Sequence, residues 1–176
     1  FYWLMKRSIL SYWRSPSYNF VRMMISIVIA LIFSSAYANQ HYSTDVDVLS
    51  RCAVMYITCL FVGVVAMMTV QAVVFAERPT FYREQFSDFY SVGLYTLSTT
   101  LVEIPYLLFS SVLFVIPFFF IVGFDKDGVA EKFFFYWLFQ GLYMCTLVFL
   151  GHFYTALMPT ESSSQGNLVF VLFCGV

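Results

Sequence analysis

The sequence predicts an all-α fold, a multi-pass transmembrane helical bundle, and three observations predict it. Hydrophobic residues make up 61% of the 176-residue chain and charged residues only 11%, against about 25% charged in a typical soluble domain. A soluble core of this length could not hide so much apolar surface, so lipid must solvate much of it. The apolar residues gather into long runs split by short charged stretches, as expected of helices that satisfy their own backbone in hydrocarbon. The 22 Phe and 13 Tyr also suit a bilayer, where Tyr sits well at the headgroup level.

Residues 1–20 carry Lys6, Arg7 and Arg14 and no acidic residue. On a helical wheel Tyr2, Met5, Ile9, Tyr12 and Trp13 share one face, with Arg7, Ser11 and Arg14 opposite. That pattern predicts a helix lying along the membrane surface with its aromatics dipped in. A signal peptide, with 23–33 as its apolar segment and Ala36-Tyr37-Ala38 as its cleavage site, is the weaker reading, because further spans follow. Met23 to Ala38 is the first span, and Ser26, Ala30, Ser34 and Ala38 form a small-residue stripe where another helix can approach. After a polar loop over 39–51, Cys52 to Ala76 is the second span.

Residues 77–91 interrupt the apolar pattern with Glu77, Arg78, Arg83, Glu84 and Asp88. Pro79 suits the first turn of a separate short helix over 79–90, with Tyr82, Phe86, Phe89 and Tyr90 on one side. The next apolar run, Val92 to Phe124, contains Glu103, Pro105 and Pro117. It is too long for one straight span and too short for two with a turn, so it reads as a third span over 92–116 and then an irregular re-entrant segment. A charged loop over 125–132 leads to a fourth span over 133–158. Residues 168–176 are too short to cross and are expected to begin a fifth span that the chain truncates.

With a cytoplasmic N-terminus, Lys6, Arg7, Arg14, Arg22, Arg78 and Arg83 fall inside and Arg51, Lys126 and Lys132 outside, as the positive-inside rule favours. Cys52, Cys59, Cys145 and Cys174 form no CxxC pair and read as reduced, buried residues, with no metal site expected. No basic tract exists to bind nucleic acid. No phosphate-cradling GxxxxGK[ST], GxSxG or HExxH occurs, and His41 and His152 are isolated, so neither catalytic nor cofactor-binding residues are expected.

One stretch is specific. Glu77-Arg78-Pro79-Thr80-Phe81-Tyr82-Arg83-Glu84, with Ser87-Asp88 and Tyr90-Ser91 after it, lies between two long spans. It resembles the ERPxFYRE segment in the membrane domain of the pleiotropic-drug-resistance group, in the G subfamily of ATP-binding cassette transporters. The resemblance continues in register through Glu103-Ile104-Pro105-Tyr106, Pro117-Phe118-Phe119 and Val122-Gly123-Phe124, and reaches back to Trp13-Arg14-Ser15-Pro16 and Tyr18. It implies a six-helix, type-2 exporter membrane domain paired with a second one. It also implies a cytoplasmic nucleotide-binding domain in the same polypeptide, carrying the ATP and Mg. Residues 1–18 would be its connecting helix and 79–90 its coupling helix, with Glu77, Arg78, Arg83 and Glu84 contacting that domain. The implied function is ATP-driven efflux of hydrophobic or amphipathic small molecules or lipids at the plasma membrane. The alternative is a carrier or channel subunit of another family. A carrier would show inverted repeats and a channel a filter or charge ring, and neither is evident.

Two further expectations concern the spans. Thr58, Phe61, Val62, Val65 and Thr69 fall at helical spacing in mid-membrane, and the resemblance implies that this helix borders the substrate path; ordinary helix packing is the alternative. Glu103 is the acidic residue inside an apolar run. It costs about 2.5–3.5 kcal/mol on insertion scales unless paired or protonated. It is expected to face the bundle interior, with Thr99, Thr100, Gln71 or Thr69 as partners, or else to snorkel to the headgroups.

Overall fold

The computed structural model describes residues 2–14, 16–37, 45–123 and 129–166. Five helices follow one another: α1 (Tyr2–Trp13), α2 (Pro16–Tyr37), α3 (Asp45–Phe86), α4 (Val92–Val122) and α5 (Val129–Leu157). A short helical segment over 161–166 follows. No strand occurs among the described residues, and four helices are long and apolar enough to cross a membrane. His41, Lys126, Cys174, Ala38 and the expected fifth span over 168–176 lie outside the described residues.

The helices run further than their apolar stretches suggest. Pro16 opens α2, a position where its missing N–H costs nothing. The separate helix expected over 79–90 does not form. α3 continues through Pro79 as a single 42-residue helix, roughly 63 Å long at 1.5 Å per residue. Pro79 lies on the exposed side of α3, where the carbonyl it deprives of a donor can be solvated. The helix ends where Asp88 takes a left-handed conformation (φ 52°). There Phe89 N–H donates to the Glu84 carbonyl and Asp88 N–H to that of Gln85, closing a Schellman turn. The break expected near Ile116 is also absent. α4 passes Pro105 and Pro117 without interruption and ends at Gly123 (φ 80°). In lipid no water competes for the backbone, so neighbouring turns and helices absorb the two prolines.

Among the four long helices, α2 packs on α4, α4 on α5 and α5 on α3, with a lighter α2–α3 contact closing the ring. The core gathers Ala30, Val62, Val70, Leu107, Phe114, Phe118 and Val148. Small residues set the close approaches. A Cβ on Gly151 would lie 2.7 Å from Met67 Cγ and one on Gly141 2.9 Å from Leu108 Cδ2, and one on Gly63 would collide with Leu147 Cδ1. Of the small-residue stripe, Ser26, Ala30 and Ser34 are buried, and Ser26 Oγ meets Ser110 Oγ of α4 at 2.8 Å.

Two expectations of burial change. Cys59 and Cys145 are buried free thiols, but Cys52 is exposed. In α1, Tyr12 leaves the lipid-facing group and packs inward on Tyr106 at 5.7 Å, while Trp3, Trp13, Ile9 and Leu10 are exposed. Arg7 and Ser11 turn towards α3 and do not form a free polar face. A helical wheel separates faces but cannot say which of them meets protein.

Candidate functional site

The chemistry-bearing side chains concentrate in the half of the bundle that holds α1, the end of α3 and the start of α4. Deepest lies Glu103 of α4, fully buried, whose Oε1 accepts from Arg22 Nη1 of α2. Arg22 is itself 4% exposed. Ser26 Oγ also donates to the Arg22 carbonyl at 3.0 Å. Cys145 and His152 of α5 lie within the electrostatic reach of this pair. Arg22 thus stands where an uncharged partner was expected. Thr99 Oγ1 instead donates to the Tyr95 and Thr96 carbonyls, and Thr69 Oγ1 to that of Ala66. Gln71 Nε2 donates to Ser164 Oγ at 3.0 Å and to the Gly151 carbonyl at 3.5 Å. Counting Arg22 among the interface charges obscured this pairing, because α2 begins nearly two turns before it.

A second cluster ties α1 to the far end of α3 and to the start of α4. Glu84 accepts from Arg7 Nη1 at 2.8 and 3.0 Å and from Tyr90 OH at 2.6 Å. Partial burial, and then the hydrogen bond to the Glu84 carboxylate, push the Tyr90 phenol above its ordinary value. About two turns back, Glu77 accepts from Ser11 Oγ at 3.4 Å and from Tyr95 OH at 3.5 Å. Phe81 packs on Tyr95 with ring centroids 4.6 Å apart, and Tyr90 stacks on Tyr95 at 5.7 Å.

Arg78 does something the sequence did not signal. Its guanidinium donates to the carbonyls of Met158 (2.9 Å), Pro159 (3.3 Å) and Thr155, and lies over the Phe75 ring at 4.6 Å. A cation satisfying the last carbonyls of α5 caps that helix and meets the negative end of its dipole. Of the four residues expected to contact another domain, Glu77, Arg78 and Glu84 therefore bind within this chain. Arg83 remains exposed, beside Phe86 (90% exposed) and Phe89 (76%) at the tip of α3.

The five residues expected along a path divide as well. Thr58 and Val62 are buried, Thr58 Oγ1 donating to the Val54 carbonyl at 2.8 Å. Val65 and Thr69 are half-buried. Phe61 is exposed and packs edge-on against Phe33. Phe61 shares this exposure with its neighbours Tyr56 and Ile57. A cavity of about 740 Å³ opens between the N-terminal parts of α3 and α5, lined by Cys52, Tyr56, Cys59, Lys132, Tyr136 and Phe139.

Residues 1–176 match the family model described as ABC-2 type transporter. The chain is 33% identical over 169 residues to ABC transporter G family member 44 of Oryza sativa subsp. japonica, covering 95% of this chain and 11% of that protein. It is 37% identical over 128 residues to Pleiotropic drug resistance protein TUR2 of Spirodela polyrhiza, covering 72% of this chain and 9% of that one. It is 33% identical over 172 residues to Pleiotropic drug resistance protein 1 of Petunia hybrida, covering 94% and 12%. The chain thus spans about a tenth of the length of the curated relatives it matches.

Proposed function

This chain belongs to the ABC-2 type transporter family of integral membrane domains, and we propose that it is the membrane-spanning part of an ATP-driven exporter of hydrophobic or amphipathic small molecules or lipids. Family membership favours this over a carrier or channel subunit of another kind. The partners are a nucleotide-binding domain in the same polypeptide, holding ATP and Mg, a second membrane domain, and the bilayer. The N-terminus is cytoplasmic and the membrane is the plasma membrane. The lysines and arginines of the helix ends support that orientation.

The observation that carries the reading is the cross-braced end of α3. Beyond Ala76 this helix projects roughly 15 Å and is held to α1 through Glu84–Arg7 and to α5 through Arg78. Its tip presents Arg83, Phe86 and Phe89 outward. A rigid strut fixed to two neighbouring helices transmits a push on its tip into the bundle, whereas a free loop would absorb it. An exposed aromatic pair beside one cation is a surface suited to docking.

In the full-length protein, Arg83→Glu combined with Phe86→Ala is expected to leave ATP hydrolysis within about threefold of wild type. Transport per folded molecule should fall at least about tenfold, the loss expected from about 1.4 kcal/mol of missing interface energy. Wild-type transport by this variant would reduce the tip to an ordinary solvated turn.

A further inference from the structure

Glu77 sits between two adjoining chambers at the inner end of the bundle. One, of about 280 Å³, is walled by α3, α4 and α5 with Tyr12 of α1; the other, of about 340 Å³, lies among α1, α3 and α4. Both are lined by Tyr12, Glu77, Phe81, Tyr95 and Thr99. His152 lines the first, and its buried Nε2 has no hydrogen-bond partner.

The charges around the chambers are unequal in their commitments. Arg78 is taken up by the carbonyls of α5, and Arg7 by Glu84. Glu77 has only the neutral donors Ser11 and Tyr95, at 3.4 and 3.5 Å, and among the described residues no cation lies within ion-pair reach of it. Half-buried, it is a carboxylate with spare acceptor capacity, faced by the rings of Phe81, Tyr95 and Tyr12. Arg78 lines the first chamber and Arg7 the second, but both guanidiniums are turned to their own acceptors, so an incoming anion would meet the Glu77 carboxylate without a cation free to pair with it. A neutral hydrocarbon would have to dehydrate the carboxylate without compensation. A cation with an apolar body answers both surfaces, pairing with the carboxylate and lying against ring faces. The chambers stand where the uncharged apolar run of α3 ends at Ala76 and that of α4 begins at Val92, the depth at which an amphipathic cation collects in a leaflet.

We propose that Glu77 and the aromatic walls around it form a binding site for an amphipathic organic cation at the inner edge of the membrane. The site gives the export reading one class of molecule to receive. Its binding can be measured without nucleotide, so loss of export and loss of this site are distinguishable.

The test uses the full-length protein carrying this domain, in lipid nanodiscs without ATP. The probes are fluorescent 4-(4-dimethylaminostyryl)-N-methylpyridinium and its uncharged parent, 4-(4-dimethylaminostyryl)pyridine, each corrected for uptake by empty nanodiscs. The cation should bind saturably. Glu77→Gln should weaken it at least about tenfold and leave the neutral parent within about twofold. Phe81→Leu, which keeps an apolar side chain and removes the π face, should weaken the cation about threefold or more and spare the parent. Thr99→Trp, which fills the chamber, should abolish cation binding. Equal affinity for cation and parent would overturn the proposal, as would wild-type cation binding by a folded Glu77→Gln protein. Should that variant fail to fold, undiminished binding by Thr99→Trp would overturn it instead.

Discussion

Replacing Glu103 by Leu removes a carboxylate that is fully buried and accepts from Arg22, itself 4% exposed. The leucine fits the volume, so the loss is electrostatic: a guanidinium stays in the protein interior without its counter-charge. Leaving one member of a buried pair uncompensated costs about 3–5 kcal/mol. For a domain of this size each kcal/mol moves the melting midpoint by roughly 2–4 °C, so a fall of roughly 6–20 °C is expected. Arg22→Leu should cost a similar amount for the reciprocal reason. The double change Arg22→Leu with Glu103→Leu should recover most of the loss, because two apolar side chains can replace a buried pair at little cost. The assay is thermal unfolding of the purified protein in one detergent, with folded fraction read by size exclusion. Transport per folded molecule, measured alongside, should drop in Glu103→Gln, which keeps hydrogen bonding but loses the charge. Equal midpoints for wild type and both single leucine variants would refute the reasoning, since an uncompensated interior charge cannot be free. So would a double variant as unstable as the sum of the singles, because the two residues would then not be coupled.

Two further outcomes follow from the packing. Arg78→Ala strips the cation from the last carbonyls of α5, so amide exchange over the final turn near Thr155 to Met158 should quicken about tenfold, the loss of about 1.4 kcal/mol of local protection; unchanged exchange there would mean water caps that helix equally well. Gly151→Val drives side-chain atoms into Met67 Cγ, which a Cβ alone would already approach to 2.7 Å. It should destabilise by about 1–3 kcal/mol in the same thermal assay, and a neutral result would show that α3 and α5 can separate without penalty.

The membrane setting was legible because hydropathy is additive along a chain and hydrocarbon is a uniform solvent, and the family resemblance because the Glu77 to Glu84 stretch is specific in its residues. An apolar stretch announces itself whatever its neighbours are, and a carboxylate such as Glu103 inside one stands out without any knowledge of packing. Helix ends were less legible. Pro79 and Pro117 read as boundaries, yet α3 and α4 pass through both: the carbonyl freed by Pro79 can be solvated on the exposed side of α3, and around Pro117 lipid and adjacent helices leave the backbone no competing water.

Partners were the part only the tertiary structure could decide. Arg22 and Glu103 are 81 residues apart, Arg7 and Glu84 77, and Arg78 and Met158 80. Nothing in local spacing selects those pairs among the chain's other charges. The pairing depends on which helix faces come together, and here that is set by small residues such as Gly151, Gly63 and Ser26 that admit a neighbouring helix's side chains closely. The same choice of faces buries Thr58 and Val62, exposes Phe61, and turns Arg78 from a surface charge into the cap of α5. A sequence states how much a residue gains by leaving water; which neighbour it meets afterwards is a property of the assembled bundle.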